Sequence, residues 1–313
     1  MLGTRMTTPF LQRIFLKSDV VLPLDSFPGT LPFVRTLDLR FTHPVTFFVG
    51  ENGSGKSTVM EAIAALCGLP PAGGGRNELA DLRAPQNQSD LAPFVRGAFR
   101  QRPQDGYFFR AEFQAHFASV LETRRADPDF WGDPYARYGG RSLHTRSHGE
   151  AFLAVFSAWL SPGMILMDEP EAALSPQRQL ALLSQMAKLA KTGGVQMIIA
   201  THSPIILTFP GASILSFDGE RIEPARLEDT AHFQITKGIL DSPQLIGSTC
   251  CAMMNSQANL ALQQTGLSVA ALALAPAAER RYVGPTECLH WSAAVPNSSC
   301  HCHPGFGRRC SAT

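Results

Sequence analysis

The sequence has no long apolar run and only one cysteine in its main body. No stretch approaches the roughly 18 apolar residues that a membrane-spanning helix needs, and residues 1–15 lack an apolar core followed by a cleavage site. We therefore expect a cytoplasmic chain with no intrinsic membrane segment. Of seven cysteines only Cys67 precedes residue 250, so no disulfide framework is expected there. We interpret Cys67 as a small buried apolar residue near a helix end.

A strong net charge and internal repeats are also absent. The 27 basic and 26 acidic residues leave a net charge of +1, so the chain as a whole has no attraction for nucleic acid or anionic membrane. A hydrophobic content of 44% in 313 residues is typical of a soluble globular protein of one or two domains. Composition alone therefore names no partner.

A glycine-rich segment between an apolar run and a run of helix formers is the clearest signal. It reads FFVGENGSGKST from Phe47 and fits G-x-x-x-x-G-K-[ST], in which glycines let several N–H groups point at one anion. A helix beginning at Lys56 adds a partial positive charge at the same place. The pattern predicts a strand-loop-helix cradle for a nucleoside triphosphate. Its residues are Gly50, Glu51, Asn52, Gly53, Ser54, Gly55, Lys56, Ser57 and Thr58.

The residue types in this loop also predict a division of roles. Lys56 is expected to reach the β and γ phosphates, and the Ser57 hydroxyl is expected to bind Mg²⁺. Thr58 supports the first helical turn. Such a loop is shared by kinases, GTPases and ATPases, so the other motifs must decide between these classes.

Polar residues follow two further predicted strands. Asp168 ends the apolar run MILMD, where its carboxylate can hold Mg²⁺, and Glu169 is placed to orient or deprotonate an attacking water. His202 follows the buried run 195–200 and is expected at the same sheet edge, in reach of the γ-phosphate or the water. Standing alone, these side chains would be read as turn or capping residues.

A fourth motif, SHGE, precedes a segment with helical apolar spacing. Its residues are Ser147, His148, Gly149 and Glu150. Small residues and free amides at a helix start can meet phosphate, although the same letters also make an ordinary helix start.

Strands alternating with helices after the glycine-rich loop predict an α/β fold with a mostly parallel sheet. Residues 70–145 are rich in turn residues and are interpreted as a partly helical insert, with a short helix near 91–99, a strand over 107–113 and a helix over 114–123. Alternation over 33–41 predicts an antiparallel strand before the loop. We expect one domain over residues 1–245.

Taken in order, the motifs GENGSGKST, SHGEAFLAVF, MDEPEAALS, ATHSPI and EDTAHFQIT resemble the ATP-binding-cassette (ABC) ATPases. The likeness is to small stand-alone members with SHGE where transporters have SGGQ, and it covers roughly residues 8–245. It implies the ABC type of P-loop fold, ATP and Mg²⁺ as cofactors, and Glu169 and His202 as catalytic residues. It also implies an ATP-dependent homodimer in which Ser147 and Gly149 contact the nucleotide of the second subunit, and a D-loop at residues 171–175.

The resemblance leaves two points open. The family's Q-loop glutamine has two candidates here, Glu112 and Gln114, within FFRAEFQ. The biological role also has alternatives. Our main interpretation is a nucleotide-driven dimerisation switch acting on nucleic acid or a protein partner. The alternative is the ATP-binding subunit of a membrane transporter. A kinase for a small metabolite is a further alternative, but it would account for the glycine-rich loop and not for the other motifs.

The composition changes after about residue 245, and residues 246–313 hold six of the seven cysteines. Cys300, His301, Cys302, His303 and Cys310 supply the ligand types of a zinc site, but they lack the paired C-x₂-C spacing. We therefore expect a disordered or weakly structured tail.

Overall fold

The computed structural model describes residues 8–76, 88–158 and 163–242. The strands are β1 (Leu11–Leu16), β2 (Asp38–Arg40), β3 (Val45–Val49), β4 (Gly74–Gly75), β5 (Val95–Phe99), β6 (Gly106–Arg110), β7 (Gly163–Asp168), β8 (Val195–Ala200), β9 (Ser213–Ser216) and β10 (Glu223–Ala225). The helices are α1 (Lys56–Leu66), α2 (Ala111–Ala126), α3 (His148–Ala158), α4 (Pro176–Thr192), α5 (Pro204–Leu207) and α6 (Ala231–Asp241).

The central sheet has the order β10-β9-β3-β8-β7-β6-β4. The five inner strands, from β9 to β6, pair in parallel, and β10 and β4 add antiparallel edges. The first strand of the glycine-rich unit, β3, lies between β8 and β9, so loops that follow distant strands meet beside it. This confirms the predicted α/β fold with a mostly parallel sheet.

A second, antiparallel sheet has the order β2-β1-β5, which confirms antiparallel strands near the N-terminus. The strand predicted over 33–41 covers only Asp38–Arg40, because a 3-10 turn occupies Val34–Thr36. The helix predicted near 91–99 is wrong, because a 3-10 turn over Ala92–Phe94 leads directly into β5. Pairing with β1, far away in sequence, decides the conformation of this short segment. Gln196 of β8 joins the sheets, since its amide exchanges hydrogen bonds of 2.8 and 3.0 Å with the backbone of Leu11.

The core lies on both faces of the central sheet. Successive residues of β3 point to opposite faces, so Phe47 packs with the side of α3 and α4, and Phe48 packs with α1 and β1. The central strands read as continuous apolar runs because both of their faces are covered. This packing makes a rigid frame for the loops at the carboxyl edge of the sheet.

The predicted strand over 107–113 is shorter in the structure, since β6 ends at Arg110 and α2 begins at the next residue. Cys67 caps the end of α1 and is 2% exposed, which confirms its interpretation as a buried apolar residue. Burial raises the pKa of its thiol to about 12.

Across the ranges that the structure describes, no helix combines the length and apolar character needed to cross a membrane. The proposed tail and its zinc-type ligands lie outside the described residues, so the domain division at residue 245 stays a prediction.

Candidate functional site

Four loops meet at the carboxyl edge of the central sheet. They follow β3, β7, β8 and β9, which are neighbours in the order β9-β3-β8-β7. The loop after β3 carries the predicted phosphate cradle, Glu169 follows β7, and His202 follows β8. The structure therefore brings together residues that sequence reasoning selected from three separate segments.

The glycine-rich loop turns sharply into α1 at Gly55. This residue has φ +92°, and a Cβ there would lie 2.9 Å from the ring of Phe33 and 3.0 Å from Leu31. Only glycine suits both the backbone angle and the close packing. The backbone N–H groups of the first turn of α1 are thereby placed at the loop, as an anion site requires.

Lys56 lies under this loop with only 4% of its surface exposed. Its ammonium donates hydrogen bonds of 2.7 Å to the Gly50 carbonyl and 2.9 Å to the Glu51 carbonyl. Burial lowers the pKa of Lys56, and the carboxylates of Glu169 and Asp168 oppose that change. Two backbone carbonyls therefore fix the Lys56 ammonium at the centre of the cradle.

Asp168, the last residue of β7, lies beside the start of α1. Its Oδ1 accepts a hydrogen bond of 3.3 Å from the Ser57 hydroxyl, and its Oδ2 is 3.7 Å from Nε of Arg110. Burial raises the pKa of Asp168, and Arg110 opposes the rise. A buried carboxylate next to a hydroxyl is a set of hard oxygen ligands that fits Mg²⁺.

Glu169 has an unusual backbone. Among the described residues other than glycine it alone has a positive φ, of 48°. Its N–H donates a hydrogen bond of 2.9 Å to the Ala200 carbonyl, which ties the end of β7 to the end of β8. This strained turn leaves the Glu169 side chain 46% exposed, with Oε1 3.4 Å from Nε2 of His202.

Glu171 fastens the turn after β8 to the turn after β7. One carboxylate oxygen accepts the backbone N–H of His202, and the other accepts the Thr201 hydroxyl at 2.7 Å. Burial raises the pKa of Glu171, and these hydrogen bonds oppose the rise. Residue 171 belongs to the segment that resembles a D-loop, and in this chain it fixes the position of His202.

The SHGE motif forms the start of α3, which begins at His148. Glu150 accepts the Ser147 N–H at 3.0 Å, and its own N–H donates to the Ser147 hydroxyl at 3.4 Å, which is a capping box. This hydrogen bonding, first from the backbone of Ser147, lowers the pKa of Glu150. Glu150 therefore serves as a helix-capping residue.

Arg178 of α4 holds the motif in place. It donates a hydrogen bond of 2.7 Å to the Ser147 hydroxyl and lies 3.1 Å from a Glu150 carboxylate oxygen. Gly149 leaves room for it, since a Cβ would lie 2.7 Å from Arg178 and 2.9 Å from the Ala173 carbonyl. Ser147, His148 and Glu150 are exposed, and the hydrogen bonds and ion pairs of Ser147 and Glu150 do not reach the loop 50–58 of the same chain.

The two Q-loop candidates, Glu112 and Gln114, fall within α2, and their side chains lie outside the described part of the chain. The choice between them stays open.

The charged side chain that the structure does place beside Asp168 is Arg110, which also lies 2.9 Å from Glu61 of α1. Its position at the end of β6, the neighbour of β7, is the signal that sequence reasoning missed.

Asp218 was also missed as a site residue by sequence reasoning. Its Oδ1 accepts the Glu51 N–H at 2.7 Å, and its Oδ2 accepts the Ser216 hydroxyl at 3.0 Å. It thereby anchors the cradle to the end of β9. An open groove of about 880 Å³ lies along this side of the loop and has Glu51, Asp218 and Asp229 in its wall.

Two family comparisons match the chain at the segments that build the site. The AAA domain family matches residues 28–115, and the AAA ATPase domain family matches residues 160–207. The first range contains the glycine-rich loop, and the second contains Asp168, Glu169 and His202.

Three curated proteins are similar over about half of the chain or more. The biotin transport ATP-binding protein BioM of Rhodobacter capsulatus is 31% identical over 205 residues, which are 60% of this chain and 80% of that protein. The hemin import ATP-binding protein HmuV of Rhodopseudomonas palustris is 28% identical over 56% of this chain and 71% of its own. A Geobacter sulfurreducens protein named for ATP binding in an ABC transporter is 27% identical, and the match spans 50% of this chain and 58% of that protein.

Solved structures resemble the chain less closely. An ATP-binding cassette of an ABC transporter has a TM-score of 0.41 and 17% identity, over 77% of this chain and 98% of its own. The SMC head domain from Thermotoga maritima has a TM-score of 0.36 and 15% identity, over 70% of this chain and 100% of its own. At these values the likeness does not separate transporter cassettes from SMC heads.

Proposed function

Because the chain belongs to the family of ABC-type P-loop ATPases, we propose that it binds ATP in the loop 50–58 and hydrolyses it between two copies of the chain. The observation that carries this proposal is the meeting of Lys56, Asp168, Glu169 and His202 at one sheet edge. A cation, a metal-binding carboxylate, an acceptor for a water proton and an imidazole are the groups that in-line phosphoryl transfer to water uses.

The cradle residues supply binding. Backbone N–H groups of residues 50–58 and the Lys56 ammonium surround the phosphates, as the loop geometry and the burial of Lys56 allow. Ser57 and Asp168 would hold Mg²⁺, which would neutralise negative charge on the phosphates. The chain's task there is to keep the hydroxyl and the carboxylate side by side.

Glu169 and His202 supply the chemistry. The Glu169 carboxylate accepts the proton of the attacking water. His202, whose Nε2 lies 3.4 Å from that carboxylate, orients the carboxylate or the γ-phosphate. Glu171 fixes the turn after β7 to the turn after β8 through its hydrogen bonds to residues 201 and 202. The pKa of His202 is lowered by burial and then by Lys56, so its imidazole is neutral near pH 7.

The second copy supplies the SHGE motif. Ser147, His148 and Glu150 are exposed at the start of α3, and the hydrogen bonds and ion pairs of Ser147 and Glu150 with described residues do not reach the cradle of their own chain. We assign them to the nucleotide held by the partner, so that two chains enclose two ATP molecules head to tail. Closure excludes bulk water from the γ-phosphate.

ATP hydrolysis by this chain has two candidate biological roles. A transporter subunit is better supported than a dimerisation switch that acts on nucleic acid. The curated relatives named above are ATP-binding proteins of biotin transport and hemin import. We therefore propose an ATP-binding subunit of a transporter and carry over no transported substrate. In this role the chain would be recovered with a membrane protein from detergent-solubilised membranes. Recovery without one, together with stimulation of turnover by DNA, would favour the switch instead.

The dependence of ATP turnover on protein concentration tests the enzymatic proposal. If two chains complete each site, turnover rises faster than protein concentration below the dimerisation constant and becomes proportional above it. Strict proportionality at every concentration would contradict the two-chain site. Absence of turnover at high concentration with Mg²⁺ would contradict hydrolysis by the isolated chain.

A further inference from the structure

The His202 imidazole has a polar neighbour at each of its two ring nitrogens. Nδ1 lies 2.8 Å from Nε2 of His232, and the two rings stand at 88° with centroids 4.5 Å apart. Nε2 lies 3.4 Å from Oε1 of Glu169 and has no hydrogen bond of good geometry to any residue that the structure describes. One side of the ring is therefore fixed, and the other is turned toward the catalytic carboxylate.

His232 comes from an element that the catalytic scheme does not use. It is the second residue of α6, within the motif EDTAHFQIT, to which sequence reasoning assigned no role. A 3-10 turn over Leu227–Asp229 leads into the helix, and Thr230 donates its hydroxyl to the Leu227 carbonyl at 2.8 Å. The helix packs against α5, which begins two residues after His202. The histidine pair thus joins the turn before α5 to the start of α6.

The chemistry of the neighbours determines where the protons lie. A carboxylate or a phosphate oxygen only accepts hydrogen bonds, so His202 can interact favourably with either one only through a protonated Nε2. A neutral imidazole with a proton on Nε2 has an unprotonated Nδ1, which needs a donor. His232 Nε2 lies at the right distance to be that donor.

The charged groups around the pair agree with a neutral His202. Lys56 and His232 disfavour a positive charge on it, Glu169 favours one, and burial lowers its pKa most. Glu171 meets the residue only at its backbone N–H. The arrangement resembles the way in which an outer hydrogen bond sets the tautomer of a metal-binding histidine.

We propose that His232 is a positioning residue for hydrolysis: its Nε2–H donates to Nδ1 of His202 and thereby fixes the His202 tautomer with the proton on Nε2, facing Glu169 and the γ-phosphate. This inference rests on the proposed ATPase function of the same site. It adds a residue of α6 to the set that determines turnover, and that residue touches neither the nucleotide nor the water.

Two substitutions separate the hydrogen bond from the packing of the ring. His232→Phe keeps a ring but has no donor, whereas His232→Gln carries an amide N–H near the position of Nε2. We expect kcat to fall about 3- to 10-fold in His232→Phe, the effect of one lost hydrogen bond, with an unchanged KM for ATP. His232→Gln should restore most of the loss. His43→Phe, a change at an exposed histidine that shares a hydrogen bond with its neighbour Thr42, is the control for loss of a histidine.

Imidazole ¹⁵N shifts of the full chain without nucleotide give a readout independent of activity. The His202 signals, identified by their loss in His202→Gln, should show a proton on Nε2 and none on Nδ1 in the unaltered protein. His232→Phe should give a mixture of tautomers, and His232→Gln should keep the single one.

An unchanged tautomer together with unchanged kcat in His232→Phe would overturn the inference, as would a proton on Nδ1 in the unaltered protein. An inactive unaltered protein would overturn the proposed hydrolysis instead. In that case the ¹⁵N shifts still decide whether His232 fixes the tautomer.

Discussion

Glu169→Gln should reduce ATP turnover by about 10²- to 10⁴-fold, the contribution of a positioned general base. Glutamine has nearly the same shape and keeps an oxygen near His202, but it does not accept a proton from the attacking water. The phosphate cradle is built from Lys56 and the loop backbone, which the substitution does not touch. ATP should therefore bind with unchanged affinity, and the closed two-chain form should accumulate because nucleotide is not consumed.

Single-turnover hydrolysis and sedimentation of the same sample measure both effects. Glu223→Gln is a suitable control because it changes an exposed carboxylate of β10 in the same way. Turnover near the unaltered rate in Glu169→Gln would remove Glu169 from the catalytic role. Loss of ATP binding along with turnover would instead place Glu169 in the cradle.

Lys56→Ala should weaken ATP binding by about 10- to 100-fold, since hydrogen bonds to charged groups contribute roughly 1.5–3 kcal/mol. The ammonium is buried under the loop that we propose as the phosphate site. The substitution also leaves the carbonyls of Gly50 and Glu51 without their shared donor, so the loop should lose its fixed shape.

Titration calorimetry with ATP and Mg²⁺ measures the affinity, and circular dichroism checks that the fold is kept. Lys188→Ala removes an exposed lysine of α4 and should bind ATP normally. Unchanged affinity in Lys56→Ala would mean that the loop is not the phosphate site. An equal loss of ATP affinity in both variants would indicate a general effect of removing a positive charge.

The sequence predicted the parts of the fold that are encoded locally. Buried apolar runs end at turn residues, and β8 has the predicted bounds 195–200. The helix that begins at Lys56 follows from the glycine at the turn before it. The segment 91–99 failed because Val95–Phe99 is too short to show a period, and its conformation is decided by pairing with β1.

The candidate site divides in the same way. Residues directly after long buried strands, such as Asp168 and His202, were found because parallel strands bring their carboxyl ends to one edge. Arg110, Asp218 and His232 were not found, since each acts through a contact that depends on how separate elements pack. The capping box of Ser147 and Glu150 is an intermediate case, because its S-x-x-E spacing is readable as a helix start.

The central claim is that each ATP is enclosed by the cradle of one chain and the SHGE motif of the other. Mixing two inactive variants tests it most directly. Glu169→Gln damages the site on its own chain, whereas Ser147→Phe places a bulky side chain at the outward helix start and damages the site on its partner. A mixed dimer then has one site with both changes and one site with neither.

ATP turnover of the equimolar mixture is the measurement. Random pairing makes half of the dimers mixed, and each of those has one unaltered site, so the account predicts recovery of about a quarter of the unaltered turnover. If every site were built within a single chain, each chain would keep its own defect. A mixture as inactive as its two components would therefore contradict the shared site.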